Sequence, residues 1–161
     1  MTDFSEFFRR LSDEHVEFVV IGGLAVISHG HVRATLDLDI CYARTPENLE
    51  RLVRALAELR PRLRGAPAEL PFFWDVRTLR NGLNFTLTTT AGDIDVLGEV
   101  TGLGGYGELA LRSETVDLYG TKVRIMSLAD LIRSKAAAGR AKDLVDLEAL
   151  RRLEASAKRG E

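Results

Sequence analysis

Residues 22–40 read GGLAVISHGHVRATLDLDI, and the end of that stretch decides the fold. Leu36, Leu38 and Ile40 alternate with Asp37, Asp39 and Cys41, the period-two pattern of a strand with one face in the core. Asp37 and Asp39 then project from the same face while the apolar residues point inward. Two carboxylates side by side repel, and a protein accommodates them readily when something positive lies between them; hard divalent cations with oxygen ligands are the usual answer. A solvent-facing strand that merely carries two acids has the same dipeptide pattern. At the other end of the stretch, Phe18 to Ile21 is a short β-rich run that Gly22-Gly23 ends, and Leu24 to His29 suits a short helix after the glycines. Backbone amides at such a helix start, with no side chain in the way, can cradle phosphate. The stretch lacks both the dinucleotide fingerprint and the Lys-Ser/Thr of a P-loop.

Further along, Asp93-Ile94-Asp95-Val96 repeats the acid–apolar alternation. Leu83 to Thr88 and Asp93 to Leu97 read as two strands joined around Ala91-Gly92. If the second of them lies beside the first acidic strand, three or four carboxylates converge on one patch, as phosphoryl-transfer sites with two metals require. Asp93 follows the turn, where aspartate is favoured for its own sake, so Asp95, in mid-strand, is the candidate site residue.

The rest of the chain frames these strands. Phe4, Phe7, Phe8 and Leu11 form one stripe of an opening helix. Thr45-Pro46 starts another, with Leu49, Leu52, Val53 and Leu56 on its buried face. Arg60 to Pro71, with three of the four prolines, reads as a loop, and Thr101 to Gly107 as a mobile glycine-rich segment. Thr115–Leu118 and Lys122–Ile125 flank a turn at Tyr119-Gly120; Ser127 to Asp130 caps a helix through Ala138, and a charged helix follows from about Lys142 to Ala155. The expectation is a single α+β domain over residues 1–161, a mixed β-sheet flanked by helices with a C-terminal helical appendage over about 127–156.

The order strand, Gly22-Gly23, Ala25, Gly30, Arg33, Thr35, Asp37-Leu-Asp39 resembles the nucleotidyltransferase superfamily to which polymerase beta belongs. Within it, residues 22–40 are most similar to the small bacterial AbiEii-like proteins, the toxin half of abortive-infection toxin–antitoxin systems. The resemblance continues at DIDVLG, residues 93–98, and at KAAAGRAKDLVDL, residues 135–147. It implies the polymerase-beta-like nucleotidyltransferase fold and a metal-dependent enzyme that transfers a nucleoside monophosphate from a triphosphate to a hydroxyl. It further implies that Gly22 and Gly23 hold triphosphate oxygens, that Asp37 and Asp39 ligate Mg²⁺ or Mn²⁺, and that Asp95 completes the cluster and helps deprotonate the acceptor. Many members carry Gly-Ser where this chain has Gly-Gly, which leaves a phosphate contact to Arg33 or Thr35. Lys135 and Arg140 flank a helix break and suit the charge of a triphosphate, with Asp143 orienting one of them; as a plain sequence pattern the same residues also fit a solvated helix face with ordinary surface pairs.

The acceptor stays open at this level between RNA, including tRNA, and a small molecule of the aminoglycoside kind. A catalytically weak module that binds a partner such as an antitoxin is the reading from another class. With 22 basic and 24 acidic side chains the net charge is −2, which argues against a protein that coats nucleic acid. No stretch approaches the ~20 apolar residues of a membrane span. The lone Cys41 sits among hydrophobic neighbours as a buried thiol, and a single cysteine suits a reducing, cytoplasmic location.

Overall fold

The structure, a computed structural model, describes residues 1–160. Helix α1 (Phe4–Asp13) starts where the Asp3 carboxylate accepts the Glu6 amide, and it buries Phe7, Phe8 and Leu11. Strand β1 (Phe18–Ile21) is buried along its whole length, as expected of a four-residue apolar run. Helix α2 (Gly22–Ser28) begins at the diglycine itself rather than after it. Strand β2 (Asp37–Tyr42) follows, and then α3 (Pro46–Ala57), whose Thr45 hydroxyl caps Asn48. Asn48 is fully buried and clamps the ends of β1 and β2: its amide donates to the Glu17 and Ala43 carbonyls at 3.1 and 2.8 Å and accepts the Glu17 N–H at 2.7 Å.

Three features differ from the sequence reading. Leu36, expected to point inward, precedes β2 and is 81% exposed, so the inward set is Leu38 and Ile40. The segment from Arg60 onward is not all loop: it contains β3 (Arg62–Leu63), and helix α4 (Val76–Asn81) follows, capped by the Asp75 carboxylate on the Thr78 amide. Strands β4 (Asn84–Thr89) and β5 (Gly92–Leu97) form the expected hairpin. The glycine-rich region after it is the small hairpin β6 (Glu99–Val100) and β7 (Gly104–Gly105), leading into α5 (Tyr106–Arg112), with Glu108 accepting the Gly105 amide at 3.0 Å. Strands β8 (Glu114–Leu118) and β9 (Thr121–Ile125) precede α6 (Leu128–Ala138), which Ser127 caps and the left-handed Gly139 ends; α7 (Ala141–Lys158) completes the described chain.

Seven strands make one mixed sheet in the order β3-β4-β5-β2-β1-β9-β8. The central pairs β2–β5 and β1–β9 are parallel and β1–β2 is antiparallel. Around the sheet, α1 packs on α3 and α3 on α4, while α2 packs on α6 and α6 on α7. Cys41 is buried in β2, and burial pushes its thiol up to about 12, which leaves it inert as a nucleophile. Trp74 packs against the core and donates its indole N–H to the Val53 carbonyl at 3.1 Å. No helix among the described residues is long and apolar enough to cross a membrane.

Candidate active site

The parallel register of β2 and β5 sets Asp37 opposite Asp93 and Asp39 opposite Asp95. Leu38, Ile40, Ile94 and Val96 are fully buried on the other face, so the acids have no choice of side. One carboxylate oxygen from each of Asp37, Asp39 and Asp95 lies within 4.8 Å of the others, a separation that one cation can span. Asp93 is not one of the three; its carboxylate accepts the Thr88 hydroxyl at 3.1 Å. Burial, and then the charges of Asp37 and Asp95, push Asp39 up from 3.8 to about 8. Such crowding is what a bound divalent cation relieves, so the donor set fits a hard metal.

The diglycine abuts these acids. Gly22 has φ +65°, and a Cβ there would lie 2.0 Å from Asp39 Oδ2. A Cβ on Gly23 would lie 2.7 Å from Thr35 Oγ1 and 2.9 Å from a terminal nitrogen of Arg33. The second glycine is therefore the packing partner of Arg33 and Thr35, a physical reason for Gly-Gly in place of Gly-Ser. The Thr35 hydroxyl itself is turned to the Asp37 carbonyl at 3.3 Å.

Cations share the cavity with the acids: Lys135 on α6, Arg140 at the cap of α7 and Arg33 in the segment before β2. Lys135 Nζ lies 3.4 Å from Asp143 and 3.0 Å from Asp146. Arg140 donates through Nε and a terminal nitrogen to Asp143 at 2.5 and 3.1 Å, and Arg33 Nε lies 3.1 Å from Asp146. Asp143 and Asp146 are buried, so these are not ordinary surface pairs. Burial alone would raise Asp143, yet Arg140 and Lys135 hold its carboxyl below the ordinary range. Asp143, expected to orient one of these cations, pairs with both Lys135 and Arg140, and the matching role of Asp146 toward Lys135 and Arg33 could not be read from its place in a charged helix. His31 Nε2 lies 3.7 Å from Asp146, at the edge of this network.

Acids, glycines and cations meet around one cavity of about 880 Å³. Its lining includes Gly22, Gly23, Arg33, Thr35, Asp37, Asp39, Asp95, Lys135 and Arg140, so the structure brings every candidate residue to a single space. A residue that the sequence reading missed pairs with the acids without lining the cavity. Arg64, just past β3, lies 2.8 Å from Asp95, 3.3 Å from Asp93 and 3.8 Å from Asp37.

No protein-family model matches the chain, and no curated protein matches it. Solved structures do. A protein of Thermotoga maritima described provisionally as a nucleotidyltransferase superposes with a TM-score of 0.53 at 19% identity, covering 91% of this chain and 87% of that one. The lincosamide antibiotic adenylyltransferase LnuA, solved with lincomycin, gives 0.60 at 13% identity, covering 94% and 98%. ANT(2″)-Ia, solved with adenylyl-2″-tobramycin, gives 0.55 at 15%, covering 97% and 95%. The fold is the nucleotidyltransferase fold. In this chain the acids lie on β2 and β5, with Lys135 on α6 and Arg140 at the cap of α7.

Proposed function

We propose that the protein is a metal-dependent nucleotidyltransferase that moves a nucleoside monophosphate from a triphosphate to a hydroxyl acceptor and releases pyrophosphate. The observation that carries this reading is the convergence of Asp37, Asp39 and Asp95 on a cavity that Lys135 and Arg140 also line. Asp37, Asp39 and Asp95 would hold Mg²⁺ or Mn²⁺, which when bound neutralises charge at the phosphoryl group under attack. Lys135, Arg140 and Arg33, held in place by the buried Asp143 and Asp146, take the oxygens of the triphosphate, and the uncluttered Gly22-Gly23 backbone lets the phosphates approach. Asp95 takes the proton from the acceptor hydroxyl.

A cavity of about 880 Å³ suits a nucleotide and a compact acceptor together. The match to LnuA and ANT(2″)-Ia over nearly the full length of both chains supports a small-molecule acceptor. The second form of the reading, with RNA as acceptor and the protein as a toxin held by an antitoxin, draws its support from the resemblance of residues 22–40. One experiment tests both: incubation with each labelled triphosphate and Mg²⁺, with total cellular RNA or with a panel of hydroxylated antibiotics. Label moving to RNA, in amounts that fall steeply with salt, selects the polynucleotide. Label on a small molecule selects the other form, and label on neither with any triphosphate refutes the enzyme.

A further inference from the structure

Arg64 stands in a segment with no acidic motif of its own, yet it is wired into the acid cluster from several directions. Its backbone N–H donates to the Thr86 carbonyl at 3.0 Å, and Thr86 is the cross-strand partner of Asp95. One terminal nitrogen donates both to the Leu87 carbonyl and to Asp95 Oδ1, each at 2.8 Å, which uses both of its hydrogens. Nε faces Asp93 Oδ2 at 3.3 Å and the other terminal nitrogen faces Asp37 Oδ2 at 3.8 Å. None of its ion pairs is to Asp39, so the guanidinium engages the cluster from the Asp93 side. A planar fork anchored on a backbone carbonyl and on Asp95, rising from a backbone itself tied to β4, cannot swing as a lysine would.

We propose that Arg64 is the positioning residue of this site: anchored on Leu87, it locks one carboxylate oxygen of Asp95 and leaves the other for the metal and the acceptor proton. The proposal rests on the nucleotidyltransferase reading for its catalytic half only. The same cation also offsets the mutual repulsion of Asp37, Asp93 and Asp95. Arg64 therefore has opposite effects on metal binding and on turnover. Its positive charge opposes the arrival of a divalent cation, whereas its hold on Asp95 promotes reaction.

The test measures Mn²⁺ affinity by calorimetry and steady-state kinetics with a labelled triphosphate, for wild type, Arg64→Gln and Arg64→Lys. Loss of one nearby positive charge should tighten Mn²⁺ by about threefold or more in Arg64→Gln. In the same variant kcat should fall on the order of 100-fold, the usual cost of a misplaced reacting group, with the triphosphate KM within about threefold of wild type. Arg64→Lys restores the charge and so the wild-type Mn²⁺ affinity, but recovers only part of kcat, because an ammonium does not reproduce the fork. Weaker Mn²⁺ binding in Arg64→Gln, an unchanged kcat, or a raised KM with kcat intact would each overturn the proposal, the last by making Arg64 a triphosphate ligand. If wild type binds Mn²⁺ but transfers nothing, the enzyme reading fails separately, and equal Mn²⁺ affinity in wild type and Arg64→Gln still refutes the charge pairing. Should Arg64→Gln fail to fold, Arg64→Gln with Asp93→Asn removes one charge of each sign and answers the kcat question in its place.

Discussion

Asp39→Asn should make the metal-free protein more stable at alkaline pH and leave it nearly unchanged at acid pH. Asp39 is pushed up from 3.8 to about 8, first by burial and then by Asp37 and Asp95. A carboxyl whose pKa is raised by folding binds its proton more tightly in the folded state than in the unfolded one. Stability is thus fully present below 3.8 and is lost progressively as pH rises through about 8, where the folded protein must carry the charge. Fully expressed, that gap corresponds to roughly 6 kcal/mol. Rotation of Asp37, which is about one-third exposed, and the counter-charge of Arg64 relieve much of it, leaving on the order of 2 kcal/mol. Asparagine keeps the shape of the neutral acid and removes the charge. Thermal melts in chelator should therefore show the variant level with wild type only at and below about pH 3.8, pulling ahead as pH rises and about 4–8 °C above it near about pH 8.5. Adding Mg²⁺ should raise the wild type by mass action and the variant far less, closing or reversing the difference. A difference in Tm that does not change with pH, or a variant that melts below wild type at alkaline pH, refutes the crowded-carboxylate account.

The two later acids should separate: Asp95→Asn should lower transfer by a factor on the order of 100 or more, while Asp93→Asn should leave it within about fivefold, and single-turnover rates with labelled triphosphate decide the ranking. Gly22→Ala puts a methyl at 2.0 Å from Asp39 Oδ2 on a left-handed residue, so calorimetry should show Mn²⁺ binding weakened by about tenfold or more, with turnover falling on the order of 100-fold. Lys135→Ala should raise the triphosphate Kd about tenfold and, by leaving the buried Asp143 and Asp146 short of a partner, cost about 3 kcal/mol in a denaturant melt. Adding Asp146→Asn to Lys135→Ala should recover stability without recovering affinity; recovery of both would mean that Lys135 serves only the fold.

The acid pair on β2 is readable in the sequence because it obeys a local rule, period two with an apolar set on the alternate positions, and Leu38 and Ile40 take their places accordingly. The same rule misplaces Leu36, since it cannot say where a strand begins. That Asp95 meets Asp39 is a matter of parallel register between strands more than fifty residues apart, and no periodicity encodes it. Arg64 escapes altogether: it follows a two-residue strand in a proline-rich segment, and its meaning comes from acids brought in by other strands. Helix α4 did leave a signal, Asp75 three residues before Thr78, in a stretch where prolines and aromatics draw attention elsewhere.

The acids of the site are fixed by strand pairing and the cations by a pair of helices, and this division sets where the protein is free to diverge. Lys142 and Val145 line the cavity from the exposed side of α7, where a change of residue alters the cavity wall and leaves the strands alone. The helix side of the cavity can therefore change residue by residue without disturbing the placement of the acids. The strands have no such latitude. A slip of one residue between β2 and β5 would set Asp39 against Ile94 or Val96, exchanging acid for core, and no intermediate register keeps the acids together.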